Sequence, residues 1–398
     1  MSRRLLHIVD FAPDGTRSFD HYLLGLAEHA ASEGWEVRHA YSGPPSADFA
    51  RSLESLGVRY HVVPMPFTMA SRRELNRQLD GYRPTLTLTN FLSAFTPAVL
   101  AMKLLGDTPR LVVRENSSGA VRPGGRVRRV LRTLRGRLVG RVLDAQLPVS
   151  DFVARRSVTD MGLPAGKVHA VPNGIDAVRY PYRARTPGPA LRVAFAGQLL
   201  AAKGVDTLLT ALAELRAAGV PFEARLAGRG PAGGALRAQV EALRLGGVRF
   251  VGHTDSVPDL FAWAEVVVAP SKWAEAFGLV AAEAMATGAV VVASDAGALP
   301  EVVGAAGRVF PAGDAAALAG VLRELAADPG ERRRLGAAGR NRVAEKFRLA
   351  DTIAGVYEIL DRVSVGHRPG VVPRLGVPSC PIDLTFVAGG PAGELVRS

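Results

Sequence analysis

The 398 residues include a single cysteine, Cys380, so no disulfide can close within the chain, and no Cys/His cluster has the spacing of zinc ligands. A reducing compartment is the expectation. Aromatic residues are scarce at 6%, which leaves a hydrophobic share of 48% to be met by Ala, Val and Leu, the residues of layered strand and helix cores. Only five of the 49 basic residues are lysine. No stretch approaches the roughly 18 apolar residues that cross a bilayer. The apolar run at 5–9 is ended by Asp10, well short of a signal-peptide core. The expected setting is cytoplasmic, with membrane contact, if there is any, peripheral and at the inner face. What the chain does have is positive charge, +12 net, which fits phosphate-bearing ligands, anionic membranes or nucleic acid without choosing among them.

Apolar runs at 5–9, 37–40, 60–63, 85–88, 111–113, 145–149 and 168–171 have strand length and alternate with helix-period segments. The alternation starts again at 192–196, 223–227, 248–251, 266–269 and 290–293. Each series predicts an α/β unit, a parallel sheet wound on both faces by helices. Between them, 176–190 carries Pro181, Pro187, Gly188 and Pro189, a composition that breaks regular structure. The expected division is a first domain at 1–176, a linker at 177–190, a second domain at 191–347, a helix at 348–366 returning to the first domain, and a Pro/Gly-rich tail at 367–398. Ligands of open α/β sheets sit beyond the carboxyl ends of the strands, so two such domains facing across a cleft place their chemistry in strand-to-helix loops.

Two segments carry that chemistry. In V-A-F-A-G-Q-L-L-A-A-K-G-V-D-T-L-L, a strand ends at Gly197 and a loop with Gln198, Lys203 and Gly204 leads into a helix near Val205. A helix start with free N–H groups and one ammonium group is what a diphosphate needs when no metal neutralises it. In P-S-K-W-A-E-A-F-G-L-V-A-A-E-A-M-A-T-G, Glu275 lies in a loop and Glu283 on a helix expected to begin near Phe277. Eight helical residues span about 12 Å, so one carboxylate can hold sugar hydroxyls and the other ribose hydroxyls. The N–H groups of Gly278, Leu279 and Val280 open that helix, where the dipole favours an anion.

These segments resemble the retaining nucleotide-sugar glycosyltransferases of family 4, whose GT-B fold sets two Rossmann-like, doubly wound domains across a cleft. Glu275 to Glu283 is similar to the family's E-x7-E motif, and G-Q-L-L-A-A-K-G, V-P-N-G-I-D at 171–176 and A-S-D-A-G-A-L-P-E at 293–301 follow its order. The resemblance implies a metal-independent, cofactor-free transfer with a nucleotide diphosphate sugar as donor. It places Lys203 at the diphosphate, Glu275 at the donor sugar, Glu283 at the ribose, and Gly278 to Val280 as backbone donors. The chain departs from the family in three places. Gln198 stands where the family commonly has arginine, with Arg229 in the turn 228–231 as a substitute cation. Asn116, in V-V-R-E-N-S-S-G, stands where a histidine is usual. Asn116 can bond a sugar hydroxyl but relays no proton. The first loop, 11–19, keeps only Gly15 of the usual glycines to approach the phosphates.

Eight arginines between Arg122 and Arg141, interleaved with Val127, Val130, Leu131, Leu134, Leu138 and Val139, read as a basic amphipathic helix. It suits an anionic membrane surface or a helix covering its own sheet. Nucleic acid is not expected, since no aromatics interleave. Two other functions fit the same fold: a catalytically silent nucleotide-sugar binder, which Gln198 and Asn116 would favour, and an isomerase of the nucleotide sugar, which would need more acid and base residues than the cleft loops supply.

Overall fold

The protein was analysed as a computed structural model, which describes residues 3–118, 126–186, 188–254 and 256–365. Cys380, Arg122 and the 367–398 tail lie outside the described residues.

The first lobe is built on β1 (Arg3–Val9), β2 (Trp35–Tyr41), β3 (Arg59–Val62), β4 (Leu86–Asn90), β5 (Leu111–Glu115) and β6 (Ala145–Pro148). The second is built on β7 (Leu191–Ala196), β8 (Phe222–Ala227), β9 (Val248–Gly252), β10 (Val266–Ala269), β11 (Val290–Ser294) and β12 (Arg308–Phe310). Every recorded pairing is parallel. The orders are β3-β2-β1-β4-β5-β6 and β12-β11-β10-β7-β8-β9, so both sheets reverse direction of winding at their first strand. That switch point opens a crevice at the carboxyl ends of β1 and β4 in one lobe and of β7 and β10 in the other. The continuous valines of β10 and β11 are buried on both faces, as helix-covered parallel strands require.

Two expectations need correction. The run at 168–171 is not a strand; it touches β6 through one bridge, Gln146 to Val168, before Pro172 turns the chain. Conversely β12 had no apolar run to announce it: of its three residues only Phe310 is buried.

The first lobe's sheet is covered on one face by the Ser18–Ser32 helix and, from the far end of the chain, by the Leu349–Ser364 helix. Ile353, Val356, Tyr357 and Leu360 join the core of Leu5, Val9, Leu23 and Leu26. Gly25 permits the approach, because a Cβ there would stand 2.4 Å from the Ile353 side chain. The Tyr357 hydroxyl donates to the Leu26 carbonyl at 2.8 Å. The linker is pinned to the second lobe: Arg185 donates to the carbonyls of Ala264, Phe261 and Thr287 at 2.5–2.8 Å.

Candidate functional site

The loop after β7 is shaped by close backbone approaches that only glycine allows. Gly204 has φ +68°, and a Cβ on it would lie 1.9 Å from the Pro270 carbonyl oxygen. Gly228 likewise faces the Gly197 carbonyl, at 1.8 Å from a would-be Cβ. These contacts lock the β7 loop to the β10 loop and to the β8 loop, with the Lys272 amide donating to the Ala202 carbonyl at 2.8 Å. The helix Val205–Ala217 starts directly after Gly204.

Locked in this way, Lys203 Nζ lies 2.6 Å from Glu275 Oε1, and Ser271 Oγ donates to the same oxygen at 2.5 Å. Glu275 is held by its backbone as well: its carbonyl accepts the Ala298 amide at 2.9 Å, and Gly297, at φ +71°, leaves room for it. The G-A pair of the 293–301 segment therefore seats Glu275. Gly278, at φ +96°, precedes the helix Leu279–Ala286, which begins two residues later than expected. Of the nine positions from Glu275 to Glu283, only the last five are helical, so the spacing of the two carboxylates is not that of a continuous helix.

A cavity of about 330 Å³ opens between the lobes. Gly197, Gln198, Lys203 and Glu275 line its second-lobe side together with Phe277, Gly278, Leu279 and Val280; Asn116 lines the first-lobe side. The Asn116 carbonyl oxygen of the side chain accepts the Phe91 amide at 3.4 Å. Four candidates are not among the lining residues. Arg229 is exposed on the turn and meets the loop only through its carbonyl, which accepts from Leu199. Gly204 shapes the loop from behind. Gly15, at φ +87°, donates its amide to Asp20. Glu283 is buried, and its Oε1 accepts from Ser18 Oγ of the first lobe at 2.5 Å, with Tyr180 beside it. Burial raises the Glu283 carboxyl, and the Ser18 and Tyr180 hydroxyls oppose that rise.

Several lining residues had no role assigned from the sequence. Phe91 is held at φ +61°, a costly conformation for an aromatic residue, and the residue is 46% exposed at the cavity wall, its ring edge-on to Phe19 at 4.7 Å. Asn173 also lines the cavity. It stood inside V-P-N-G-I-D without an assigned role. Across the cleft, Ser150 Oγ donates to the Ala276 carbonyl at 2.6 Å, and the Glu301 carboxylate accepts the Asp151 and Phe152 amides at 2.8 and 2.9 Å. Glu301 thereby caps a first-lobe helix, Asp151–Thr159, from the second lobe.

The first loop holds a pH-sensitive group. Asp20 Oδ2 accepts the Gly15 and Arg17 amides at 3.0 Å each, while Oδ1 has no partner, and burial pushes the carboxyl up to about 6. A raised folded pKa gives stability that is full below the unfolded value of about 3.9 and is lost as pH rises through about 6. Asp20→Asn is accordingly expected to flatten the fall in Tm between about pH 4 and 6. Melting curves in which wild type and variant fall in parallel over that window would count against it.

No helix among the described residues is long and apolar enough to cross a membrane. The model of the family described as glycosyl transferase 4-like domain matches residues 20–174, and that of glycosyl transferases group 1 matches residues 184–342. Among curated proteins, the chain is 37% identical over 234 residues to the MMP alpha-(1->4)-mannosyltransferase of Mycolicibacterium hassiacum, covering 55% of each chain. A glycogen synthase of Mycobacterium tuberculosis is 37% identical over 201 residues, 48% of each. The chain thus spans about half the length of these relatives, at 55% and 48%. The phosphatidyl-myo-inositol mannosyltransferase of Mycobacterium leprae is matched far more fully, at 30% identity over 367 residues, 87% of this chain and 93% of that one. Among solved structures, a glycosyltransferase from Rickettsia africae superposes with a TM-score of 0.75 at 16% identity, over 91% of this chain and 98% of that one. Sucrose-phosphate synthase from Thermosynechococcus elongatus gives 0.74 at 22%, over 92% and 100%. With paired six-stranded parallel sheets, both halves matched in order and one relative aligned along nearly its whole length, the chain belongs to the glycosyl transferases group 1 family and has the GT-B fold.

Proposed function

We propose that the protein is a retaining glycosyltransferase that moves a sugar from a nucleoside diphosphate donor to an acceptor hydroxyl without a metal ion or a cofactor. The observation that carries this reading is the Lys203–Glu275 pair at 2.6 Å in the interlobe cavity, beside the glycine-opened backbone at Gly197 and Gly278. The bond from the anomeric carbon to the leaving phosphate oxygen breaks while the acceptor oxygen bonds to the same face. Lys203 and the amides at 278–280 stabilise the charge that grows on the diphosphate, the kind of term that dominates such reactions. Glu275 holds sugar hydroxyls. Asn116 cannot take the acceptor proton, so that proton passes to the departing phosphate oxygen. The curated relatives named as mannosyltransferases and a glycogen synthase support transfer over a silent binding role. The test is release of nucleotide from UDP-, GDP- and ADP-sugars with no acceptor present. Slow release from one donor is expected; no release and no calorimetric binding of any of them would refute the reading.

The surface of the Arg126–Val142 helix supports peripheral contact with an anionic membrane. The helix packs inward through Gly136, Val139 and Gly140; a Cβ at Gly136 would stand 2.0 Å from the Met161 carbonyl. Val127, Val130, Leu131, Leu134 and Leu138, at i, i+3, i+4, i+7 and i+11, point the other way and are 50–72% exposed. Arginines flank this stripe, and the helix contains no acidic residue. An apolar stripe turned to water with basic flanks is the pattern of an interfacial helix on anionic lipid, and a lipid-borne acceptor is the class such a surface would serve. Leu131→Glu combined with Leu134→Glu is expected to weaken sedimentation with phosphatidylglycerol vesicles at least tenfold while donor hydrolysis stays unchanged. Undiminished vesicle binding by the double variant would remove the membrane from the proposal.

A further inference from the structure

Among the described residues, Arg114 on β5 is the largest fully buried side chain and has no carboxylate within ion-pair distance. It ends a polar row across one face of the first sheet. His39 on β2 is paired in register with His7 on β1, Asn90 ends β4, and Asn90 is paired in register with Arg114. Every member of that row but Arg114 is uncharged near neutral pH. His39 is pulled down to about 3 by burial, and His7 is lowered by burial, then by His39 and by Arg114. His7 Nε2 accepts from Asn90 at 2.5 Å, and the ring of Tyr22 lies 5.0 Å beneath the guanidinium. Arg114 Nε and Nη1 have no hydrogen-bond partner among the described residues, and Nη2 donates to Asn173 Oδ1 at 2.9 Å.

A guanidinium only donates, so it must take the oxygen of the Asn173 amide. That fixes which end of the amide is which: Nδ2 is turned away from Arg114. It has no partner among the described residues, and Asn173 lines the interlobe cavity. A desolvated cation without a counter-charge is costly, and here its influence reaches a binding cavity through one oriented amide.

We propose that Asn173 is a substrate contact and Arg114 its positioning residue: the guanidinium holds the amide so that Nδ2 donates to an anionic oxygen of the ligand, whose charge supplies the counter-ion the core lacks. The anionic oxygen belongs to the donor's diphosphate or to a phosphate on the acceptor. The proposal rests on the reading of the cavity as a sugar-nucleotide site, and it singles out two residues that reading does not use.

Asn173→Asp and Asn173→Ala test it in the full chain. In Asn173→Asp the buried guanidinium gains a carboxylate, so Tm is expected to rise, whereas Asn173→Ala strips Arg114 of its acceptor and Tm is expected to fall. A purely structural asparagine would let Asn173→Asp bind ligand normally. The proposal expects the opposite, at least a tenfold loss, read in two calorimetric titrations: UDP, GDP and ADP into free protein, and inorganic phosphate into protein saturated with the tightest of these nucleotides. A loss in the nucleotide titration assigns Asn173 to the donor's diphosphate; a loss confined to phosphate assigns it to an anionic acceptor. Affinities equal to wild type in both titrations, or a Tm of Asn173→Asp below wild type, overturn the proposal. Should wild type bind no nucleotide, the functional reading fails, and phosphate titrated into free wild-type and variant protein still decides the role of Asn173.

Discussion

Lys203→Ala is expected to lower kcat by about 100- to 1,000-fold, the range seen when one preorganised donor to a developing anion is removed. The chain has only five lysines and no arginine at position 198, so no neighbouring side chain on that loop replaces the ammonium. The fold should survive. Lys203 directly precedes Gly204, whose close approach to the Pro270 carbonyl fixes the turn through backbone, and Glu275 keeps the Ser271 hydroxyl when its cation is gone. Steady-state rates with the hydrolysed donor, beside melting curves, separate the two effects. A variant that turns over at the wild-type rate would place the diphosphate elsewhere.

Glu275→Gln is expected to cost about 100-fold in kcat. The amide has the same shape and can still accept from Ser271, yet it removes the charge that holds Lys203 at 2.6 Å and that would favour a sugar ring acquiring positive character. Because the two groups touch, their effects should not add. The double variant Lys203→Ala with Glu275→Gln is expected to be no slower than Lys203→Ala alone. Losses that multiply across the double-mutant cycle would mean that the pair parts when the donor binds and each side chain then acts on its own group, Lys203 on the diphosphate and Glu275 on the sugar.

Much of this site was legible in the amino-acid order because it depends on local chemistry. Buried valine runs announce parallel strands, and glycines beside a lysine and a glutamate in strand-to-helix loops point to the cleft; Lys203, Glu275 and Gly278 line one cavity there. What stayed hidden depends on the meeting of distant segments. Glu283 was read from its spacing to Glu275, but that its carboxylate accepts from Ser18, 265 positions away, leaves no local trace. Arg114 and Asn173 are 59 positions apart, and no periodicity links them. The basic helix has a misleading pattern: its leucines suggest a buried face, but Gly136 and Gly140 take that place by letting backbone approach backbone, and the leucines are left in water. Three-residue β12 is too short for any period to register.

The Leu349–Ser364 helix means that the polypeptide crosses from lobe to lobe twice, once at the linker and once near Phe347, where the Ile175 amide donates to the Phe347 carbonyl at 2.7 Å. Two adjacent straps constrain relative motion as a pair of door hinges does: the cleft can swing open and shut about the line joining them, while twisting one half against the other would stretch a strap. A chain cut after position 347 would lose one strap and would also bare the apolar patch around Gly25 and Leu26, so neither half should be expected to stay in solution as a free-standing piece.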